Sequence, residues 1–265
     1  MVKIAIIGPT GRMGKMLIEV LGQHKDAKLH AAIATRTNTF IGEDAGQGKV
    51  TGILISEDLS KLSEADVAID FTYPEATVSV LEACAAHGCA LMLGTTGLGD
   101  AQHKALSLAS KVIPVVQTGN TSLGVNLLVG FVEKASKALG MDFDIEVIEA
   151  HHRHKADAPS GTALMLGQAA ALGRGQDFEK AACYTREGLT GIRPGGQIGF
   201  AALRGGEIIG EHRVMLIGEH ERLELGHIAS DRKLFAHGAI KAALWLAKEK
   251  RQSPGLYTMT DVLGL

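Results

Sequence analysis

The chain has 265 residues, of which 46% are hydrophobic, 21% charged and 4% aromatic, and its formal net charge is −2. This composition is typical of a globular protein, and the small net charge argues against broad electrostatic binding to nucleic acid or to an anionic membrane. The amino terminus carries only a short apolar run before a glycine turn, so we expect neither a secretory signal nor a membrane span. Three cysteines without metal-ligand spacing favour a reducing, cytoplasmic location.

The first 120 residues alternate short β-branched runs with segments of helical periodicity. Helices are predicted at residues 12–21, 74–87 and 101–109. Strands are predicted at residues 2–7, 29–34, 66–71, 90–93 and 112–116, with a weaker one at 52–55. Because strands separated by helices pair in parallel, this alternation predicts an α/β fold with a Rossmann-like, doubly wound parallel sheet.

The pattern changes in the second half of the chain. A long amphipathic helix is predicted at residues 125–139, an alternating strand at 142–152 and a further helix after Pro159. Residues 196–229 are interpreted as successive antiparallel strands, and helical periodicity returns at 235–248. We therefore predict a second, α+β domain built on an open mixed or antiparallel sheet, whose exposed face is a natural oligomer surface.

A glycine-rich turn lies between the first strand and the first helix, in a GxxGxxG version of the dinucleotide fingerprint. Its glycines let backbone N–H groups approach a pyrophosphate and let the helix pack closely, and the helix N-terminus favours negative charge. The alternative is a tight strand-to-helix turn that binds nothing. We predict that NADPH or NADH is bound here by Gly8, Pro9, Thr10, Gly11, Arg12, Met13 and Gly14.

The end of the second strand bears on which cofactor is preferred. Residues 34–38 contain Arg36 and hydroxyls but no carboxylate that would bond a ribose 2′-hydroxyl and repel a 2′-phosphate, which favours NADPH. The alternative is a solvated arginine. Two further loops follow strands and suit the nicotinamide end of the cofactor, although each alone is an ordinary polar loop. They contain Gly94, Thr95 and Thr96, and Thr118, Gly119, Asn120 and Thr121.

The stretch EAHHRHKADAPSGTAL, residues 149–164, admits three kinds of chemistry. Metal binding by His151, His152 and His154 is disfavoured, because no carboxylate or cysteine is spaced to complete a site and the neighbouring residues are cationic. Nucleophilic catalysis by Ser160 is disfavoured too, since this serine follows Pro159 and lacks the GxSxG context. We expect Ser160 to cap the next helix or to bind a ligand.

The third interpretation is an anion-binding helix N-terminus. Gly161 and Thr162 open the predicted helix after Ser160, where N–H groups can hold a carboxylate. Lys155 and the adjacent histidines add charge and donors, which suits an acid with more than one carboxylate. His151 or Lys155 could then deliver a proton beside a hydride transfer. The alternative is a structural histidine cluster beside an ordinary helix cap.

These stretches together resemble the dihydrodipicolinate reductases, also called 4-hydroxy-tetrahydrodipicolinate reductases, of the diaminopimelate route to lysine. The long segment EAHHRHKADAPSGTA is similar to the signature of that family. Five further segments look like family segments in the expected order, so that the resemblance covers essentially the whole chain: GPTGRMG, DFTYPEAT, GTTG, NTSLGVN and GEHRVMLIGEHERLELGHIASDR.

The resemblance implies three parts of the chain and one reaction. Residues 1–121 would bind NADPH or NADH, residues 122–232 would bind substrate and form a homotetramer, and residues 233–265 would return to the first domain. Hydride would pass to a cyclic, unsaturated imine formed from (2S,4S)-4-hydroxy-2,3,4,5-tetrahydrodipicolinate with loss of water, which gives tetrahydrodipicolinate. A protein that senses NAD(P) without catalysis is the alternative, and it would need a partner surface where the catalytic residues stand.

The resemblance also implies roles for individual residues. His151 matches the proton donor, and Lys155 matches a second catalytic residue that assists protonation and holds substrate. The matching substrate-binding positions are His152, Gly161 and Thr162, joined by Ser160 and Arg232. Two departures leave the cofactor preference open: Thr35 stands where many members have an acid, and Tyr73 where some relatives have arginine.

Overall fold

A computed structural model describes residues 1–46 and 48–265. These residues divide into two units. Unit 1 comprises Met1–Leu123 and Lys233–Gly264, and unit 2 comprises Gly124–Arg232 with Leu265. None of the described helices is long and apolar enough to cross a membrane.

Unit 1 is built on a sheet of seven parallel strands. In chain order, the strands are β1 (Val2–Ile7), β2 (Ala27–Ile33), β3 (Ile55–Ser56), β4 (Val67–Asp70), β5 (Ala90–Leu93), β6 (Pro114–Gln117) and, near the end of the chain, β12 (Gly255–Tyr257). Their order in the sheet is β12-β6-β5-β4-β1-β2-β3. Every pairing is parallel, so that all carboxyl ends lie at the same edge.

Helices cover both faces of this sheet, because successive strand side chains point to opposite sides. The helices of unit 1 are α1 (Arg12–Leu21), α2 (Pro74–His87), α3 (Asp100–Ala109), α7 (Lys233–Glu249) and α8 (Met259–Leu263), with a short 3-10 helix at Leu59–Glu64. Ile6 packs in one core with Leu17 of α1 and Ile240 of α7. Its neighbour Ile7 packs in the opposite core with Leu81 of α2. The predicted doubly wound sheet is confirmed.

Unit 2 is built on a five-stranded mixed sheet. Its elements are α4 (Leu123–Leu139, entering from unit 1), a 3-10 helix (Gly140–Asp142), β7 (Asp144–His151), α5 (Gly161–Arg174), α6 (Phe178–Ala181), β8 (Ala182–Cys183), β9 (Ile198–Arg204), β10 (Glu211–Ile217) and β11 (Arg222–Ile228). The strand order is β11-β10-β7-β9-β8. One face packs against α4 and α5 through a core that includes Val132, Val147, Leu166 and Val214.

The direction of β9 differs from the sequence prediction of successive antiparallel strands. β9 pairs in parallel with β7, whereas β10 is antiparallel to both β7 and β11. The reason is the connection: α5 lies between β7 and β9, and parallel neighbours need such a crossover, while a short turn is enough for β10 and β11. Smaller differences affect element ends. The weak strand predicted at 52–55 is only Ile55–Ser56, and β2 begins two residues earlier than expected.

Candidate functional site

The carboxyl ends of β1 and β4 open into a cavity of about 740 Å³ in unit 1. β1 and β4 are neighbours in the sheet, and the strand order runs from β1 to β2 and β3 on one side and from β4 to β5 and β6 on the other. Doubly wound sheets bind ligands at the point where the strand order reverses in this way. Six of the residues predicted to bind a dinucleotide line this cavity: Gly8, Thr10, Gly11, Arg12, Met13 and Arg36.

The glycines of the loop after β1 fit a dinucleotide for two different reasons. A Cβ at Gly14 would lie 2.1 Å from the Gly8 carbonyl oxygen, so glycine is required there for α1 to pack on the loop. A Cβ at Gly11 would meet no described protein atom closer than 3.4 Å, so the protein alone does not require glycine at this position. The open backbone at Gly11, at the N-terminus of α1, can therefore accept the close approach of a phosphate.

A carboxylate reaches the cavity from a strand that the sequence analysis did not connect with it. Glu57 follows β3 and is the only acid among the described lining residues. Its Oε2 lies 4.0 Å from Nε of Arg36, whose side chain is 91% exposed. The carboxylate that is missing from residues 34–38 is thus supplied next to Arg36 by the neighbouring strand.

Nine residues predicted to bind the cofactor are not among those that line the cavity: Pro9, Gly14, Gly94, Thr95, Thr96, Thr118, Gly119, Asn120 and Thr121. Several support loops instead. Thr95 Oγ1 accepts a hydrogen bond from the Thr72 N–H at 3.1 Å, and Thr121 Oγ1 donates to the Phe235 carbonyl at 2.8 Å. Contacts of these residues with the nicotinamide stay a prediction.

Asp70 is a residue of this region that sequence reasoning missed. It ends β4 and is fully buried, and burial raises the pKa of its carboxyl. Oδ1 accepts hydrogen bonds from both the N–H and the hydroxyl of Thr72, at 2.8 and 2.7 Å. Because Thr72 lines the cavity, Asp70 fixes one of its walls.

In unit 2, the buried face of the sheet changes from apolar to polar along β7. The strand alternates regularly, and Val147, Glu149 and His151 are all on its buried side. The register places Val147 opposite Val214 of β10, and Glu149 opposite His212. Glu149 and His151 therefore extend the core face of unit 2, with exposed fractions of only 1% and 8%.

The Glu149 carboxylate is the centre of this polar end. Its Oε2 lies 2.5 Å from Nδ1 of His151 and accepts a bond from Nη1 of Arg204 at 2.8 Å. Its Oε1 accepts bonds from Nη2 of Arg204 at 2.7 Å and from the Ser160 N–H at 3.0 Å. Burial acts to raise the pKa of Glu149, but the bonds from Arg204, His151 and Ser160 together outweigh burial and lower it. The carboxylate is therefore ionised.

Ser160 joins the start of α5 to a second buried histidine. Its Oγ accepts a bond from the Ala163 N–H at 3.2 Å, which confirms the predicted helix cap, and lies 3.0 Å from Nε2 of His212. The rings of His212 and His151 meet edge to face with centroids 5.1 Å apart. Burial, followed by the charge of His151, lowers the pKa of His212 to about 4, so this ring is neutral near pH 7.

The remaining residues predicted to bind substrate lie around this cluster. Lys155 Nζ forms an ion pair with Asp157 Oδ1 at 2.9 Å, and the Asp157 carbonyl accepts a bond from Arg204 at 2.6 Å. Desolvation and then the charge of Arg232 lower the pKa of His152. Gly161 and Thr162 form the first turn of α5 behind the Ser160 cap.

Among the described residues, no group of three or more histidine, cysteine, aspartate or glutamate side chains is arranged to hold a metal ion.

Three members of the cluster were missed by sequence reasoning: Glu149, Arg204 and His212. The sequence pattern could have indicated Glu149 and His212. Glu149 stands two residues before His151 on a strand of strict alternation, and His212 continues the buried series of Val214 and Leu216. No such signal marks Arg204, because it follows Glu149 by 55 residues and reaches it through the unpredicted parallel pairing of β9 with β7.

Comparisons with known proteins match the whole chain. The family model described as dihydrodipicolinate reductase, N-terminus, matches residues 2–121, and the model described as dihydrodipicolinate reductase, C-terminus, matches residues 124–263. A 4-hydroxy-tetrahydrodipicolinate reductase of Alkalilimnicola ehrlichii is 52% identical over 99% of both chains. Another, of Thiobacillus denitrificans, is 47% identical over 100% of this chain and 99% of the relative.

A solved structure shows the same fold. The dipicolinate-bound dihydrodipicolinate reductase from Paenisporosarcina sp. TG-14 has a TM-score of 0.78 to this chain, at 23% identity over 98% of both chains.

The buried, neutral His212 predicts a pH-dependent stability. Below pH 6.5 the unfolded chain takes up a proton at this histidine, whereas the folded chain does so only near pH 4, so the free energy of unfolding falls as pH falls between these values. The His212 contribution is about 2 kcal/mol between pH 7 and pH 5. Urea unfolding at both pH values should show His212→Gln losing this part of the pH dependence. His220→Gln, an exposed control, should keep it, and equal pH dependence in all three proteins would contradict the assignment.

Proposed function

This chain belongs to the dihydrodipicolinate reductase family, and on that basis we propose that it reduces (2S,4S)-4-hydroxy-2,3,4,5-tetrahydrodipicolinate to tetrahydrodipicolinate, with loss of water, in lysine biosynthesis. It is an NAD(P)H-dependent oxidoreductase, in keeping with the reductase name of its full-length relatives and with the family model that matches residues 2–121. The observation that carries the proposal is the buried His151 held on a carboxylate beside the N-terminus of α5. A sensor without catalysis would have no need of that arrangement.

The substrate is a cyclic acid with two carboxylates, and unit 2 carries groups that suit both charges. The first N–H groups of α5, at Gly161 and Thr162, lie at the positive end of the helix dipole and would hold one carboxylate. The Ser160 cap orients that turn. Cationic or donor side chains at His152, Lys155 and Arg232 would hold the second carboxylate and favour the build-up of negative charge during reduction.

Reduction of a conjugated imine needs a hydride and a proton. When bound, the nicotinamide cofactor supplies the hydride, and the residues of unit 1 that would hold it are those lining the cavity at the glycine loop. His151 would deliver the proton to the substrate carbon at which electron density collects after hydride addition. Lys155, held by Asp157 at 2.9 Å, would assist by adding positive charge.

For the cofactor we propose a preference for NADPH. Arg36 stands at the rim of the cavity with a mostly exposed guanidinium, which can form a charge-assisted contact with a 2′-phosphate. Glu57 works against this preference, because its carboxylate would repel the phosphate and competes for Arg36. The balance of these two side chains would set how far NADPH is favoured over NADH.

We also propose that the chain forms a homotetramer in the cytoplasm. α5 packs on one face of the unit 2 sheet. The other face carries apolar side chains, among them Leu203 and Ile228, whose exposed fractions are 53% and 68%. Exposed apolar side chains on an open sheet are characteristic of surfaces that bind another chain. An odd number of cysteines is in keeping with a reducing compartment.

Replacement of His151 by glutamine should lower kcat by roughly 100-fold or more, because general acid catalysis contributes about that much. The measurement is NAD(P)H oxidation with substrate supplied in situ. His154→Gln is the matched control: this histidine lies three residues away with a mostly exposed ring, and its loss should leave kcat within about twofold. An unchanged kcat for the His151 variant would refute its role as proton donor.

Cofactor preference is tested by the dissociation constants of NADPH and NADH, measured by fluorescence of the bound nucleotide. Arg36→Ala should raise the dissociation constant of NADPH by roughly 10-fold, which is the usual effect of losing a charge-assisted hydrogen bond. It should have little effect on the dissociation constant of NADH. Glu57→Gln should lower the dissociation constant of NADPH. Glu64→Gln, an exposed control, should change neither dissociation constant. Tighter binding of NADH than NADPH by the wild-type protein would overturn the proposed preference.

The proposed tetramer predicts a mass in light scattering of four times the 27.9 kDa chain. Leu203→Glu should reduce that mass, because it places a charge at one of the exposed apolar side chains on the outer face of the unit 2 sheet. Leu108→Glu is the control, since Leu108 is equally exposed but lies on α3 of unit 1. A mass of one chain for the wild type would rule the tetramer out.

A further inference from the structure

We propose that Glu149, held by Arg204, is a positioning residue that decides which ring nitrogen of His151 delivers the proton. In this assignment Nδ1 always carries a hydrogen that it donates to Glu149, and Nε2 is the nitrogen that gains and gives up the catalytic proton. The inference rests on the proposed function for the identity of His151 as proton donor, and its geometric part stands on the contacts of Glu149 alone.

The hydrogen-bonding capacity of the Glu149 carboxylate is fully used. It lies within hydrogen-bond distance of four nitrogen atoms: two of Arg204 at 2.7 and 2.8 Å, the Ser160 N–H at 3.0 Å and Nδ1 of His151 at 2.5 Å. A carboxylate has about four acceptor sites, so all are in use. An ionised carboxylate can only accept, and therefore Nδ1 of His151 must be the donor in that contact.

The other ring nitrogen of His151 lies away from Glu149. Nε2 of His151 faces Gly210, where a Cβ would lie 3.1 Å from this nitrogen. A side chain at that position would crowd Nε2, and glycine avoids this. The neighbouring His212 ring stays neutral near pH 7, so it does not repel a protonated His151.

Glu149 also connects His151 with the start of α5. The same Glu149 carboxylate accepts the Ser160 N–H, which precedes the first turn of α5. The Glu149 carboxylate thereby positions both the ring of His151 and the N–H groups proposed to hold a substrate carboxylate. Movement of this carboxylate would change the distance between proton donor and substrate, so the effect of its loss should appear in kcat as well as in stability.

The most direct test reads the tautomer in the wild-type protein. Spectra of ¹⁵N-labelled histidine, with His151 assigned by comparison with His151→Gln, should show the neutral ring of His151 with its hydrogen on Nδ1 and a bare Nε2. A neutral ring with its hydrogen on Nε2 would overturn the inference. This measurement needs no catalytic turnover, so an inactive wild-type protein would refute the proposed function and leave the tautomer result standing.

A variant tests the consequence for catalysis. Glu149→Gln removes the charge and should lower kcat by roughly 100-fold while leaving cofactor affinity unchanged, since supporting partners of a catalytic group typically contribute 10–100-fold or more. The alkaline limb of the kcat–pH profile, where the protonated imidazole is lost, should move to lower pH. Glu149→Asp should recover part of kcat, which a merely structural role would not require.

The control is Glu146→Gln on the same strand. Glu146 points to the opposite face and pairs with Arg186 at 2.9 Å and Arg193 at 3.2 Å, so its replacement also breaks ion pairs but does not touch His151. It should keep the wild-type kcat and pH profile. If folded Glu149→Gln, verified by thermal unfolding, keeps them too, the inference is wrong. If this variant does not fold, the tautomer measurement decides alone.

Discussion

The Glu149 carboxylate, which takes two hydrogen bonds from Arg204, one from the Ser160 backbone and one from His151, is the contact on which the site of unit 2 depends. Removing a carboxylate from water costs of the order of several kcal/mol, and only a full set of donors offsets that cost. The four donors come from β7, β9 and the start of α5. The alternation of β7 is what brings a charged residue onto the core face at all.

The two units apply one physical device, the helix N-terminus, in two ways. α1 begins at Gly11 without a side-chain cap, and its first residues, Gly11, Arg12 and Met13, line the cavity in which a phosphate would lie. α5 begins behind Ser160, which caps one N–H and ties the helix to both Glu149 and His212. An uncapped N-terminus suits a flexible pyrophosphate, whereas a tethered one suits a small acid that must lie at a defined distance from a proton donor.

Sequence periodicity predicted the structure correctly where it depends on the residues of a single element. The bounds of β1, α1 and α2 follow from apolar runs, helical spacing and Pro74, and the cap at Ser160 follows from residue type. Periodicity failed where the structure depends on the pairing of two segments that are distant in the sequence, as for the direction of β9 relative to β7. The apolar run at residues 198–204 indicates a strand but not its direction.

Long-range contacts are also why part of the site was missed. The Arg204–Glu149 and Ser160–His212 contacts span 55 and 52 residues. Glu57 reaches Arg36 only because β3 lies beside β2. A single sequence contains no signal for such pairs, since each depends on which strands become neighbours.

Reduction of a cyclic dicarboxylate imine by this chain can be measured in a coupled assay. The wild-type protein is mixed with NADPH or NADH, and the substrate is generated in the cuvette by a dihydrodipicolinate synthase while the absorbance of the reduced nucleotide is followed. If the chain is this reductase, one nucleotide is oxidised for each substrate molecule formed, and none is oxidised when the synthase is omitted. Tight binding of both nucleotides without any oxidation in the presence of the synthase product would contradict it.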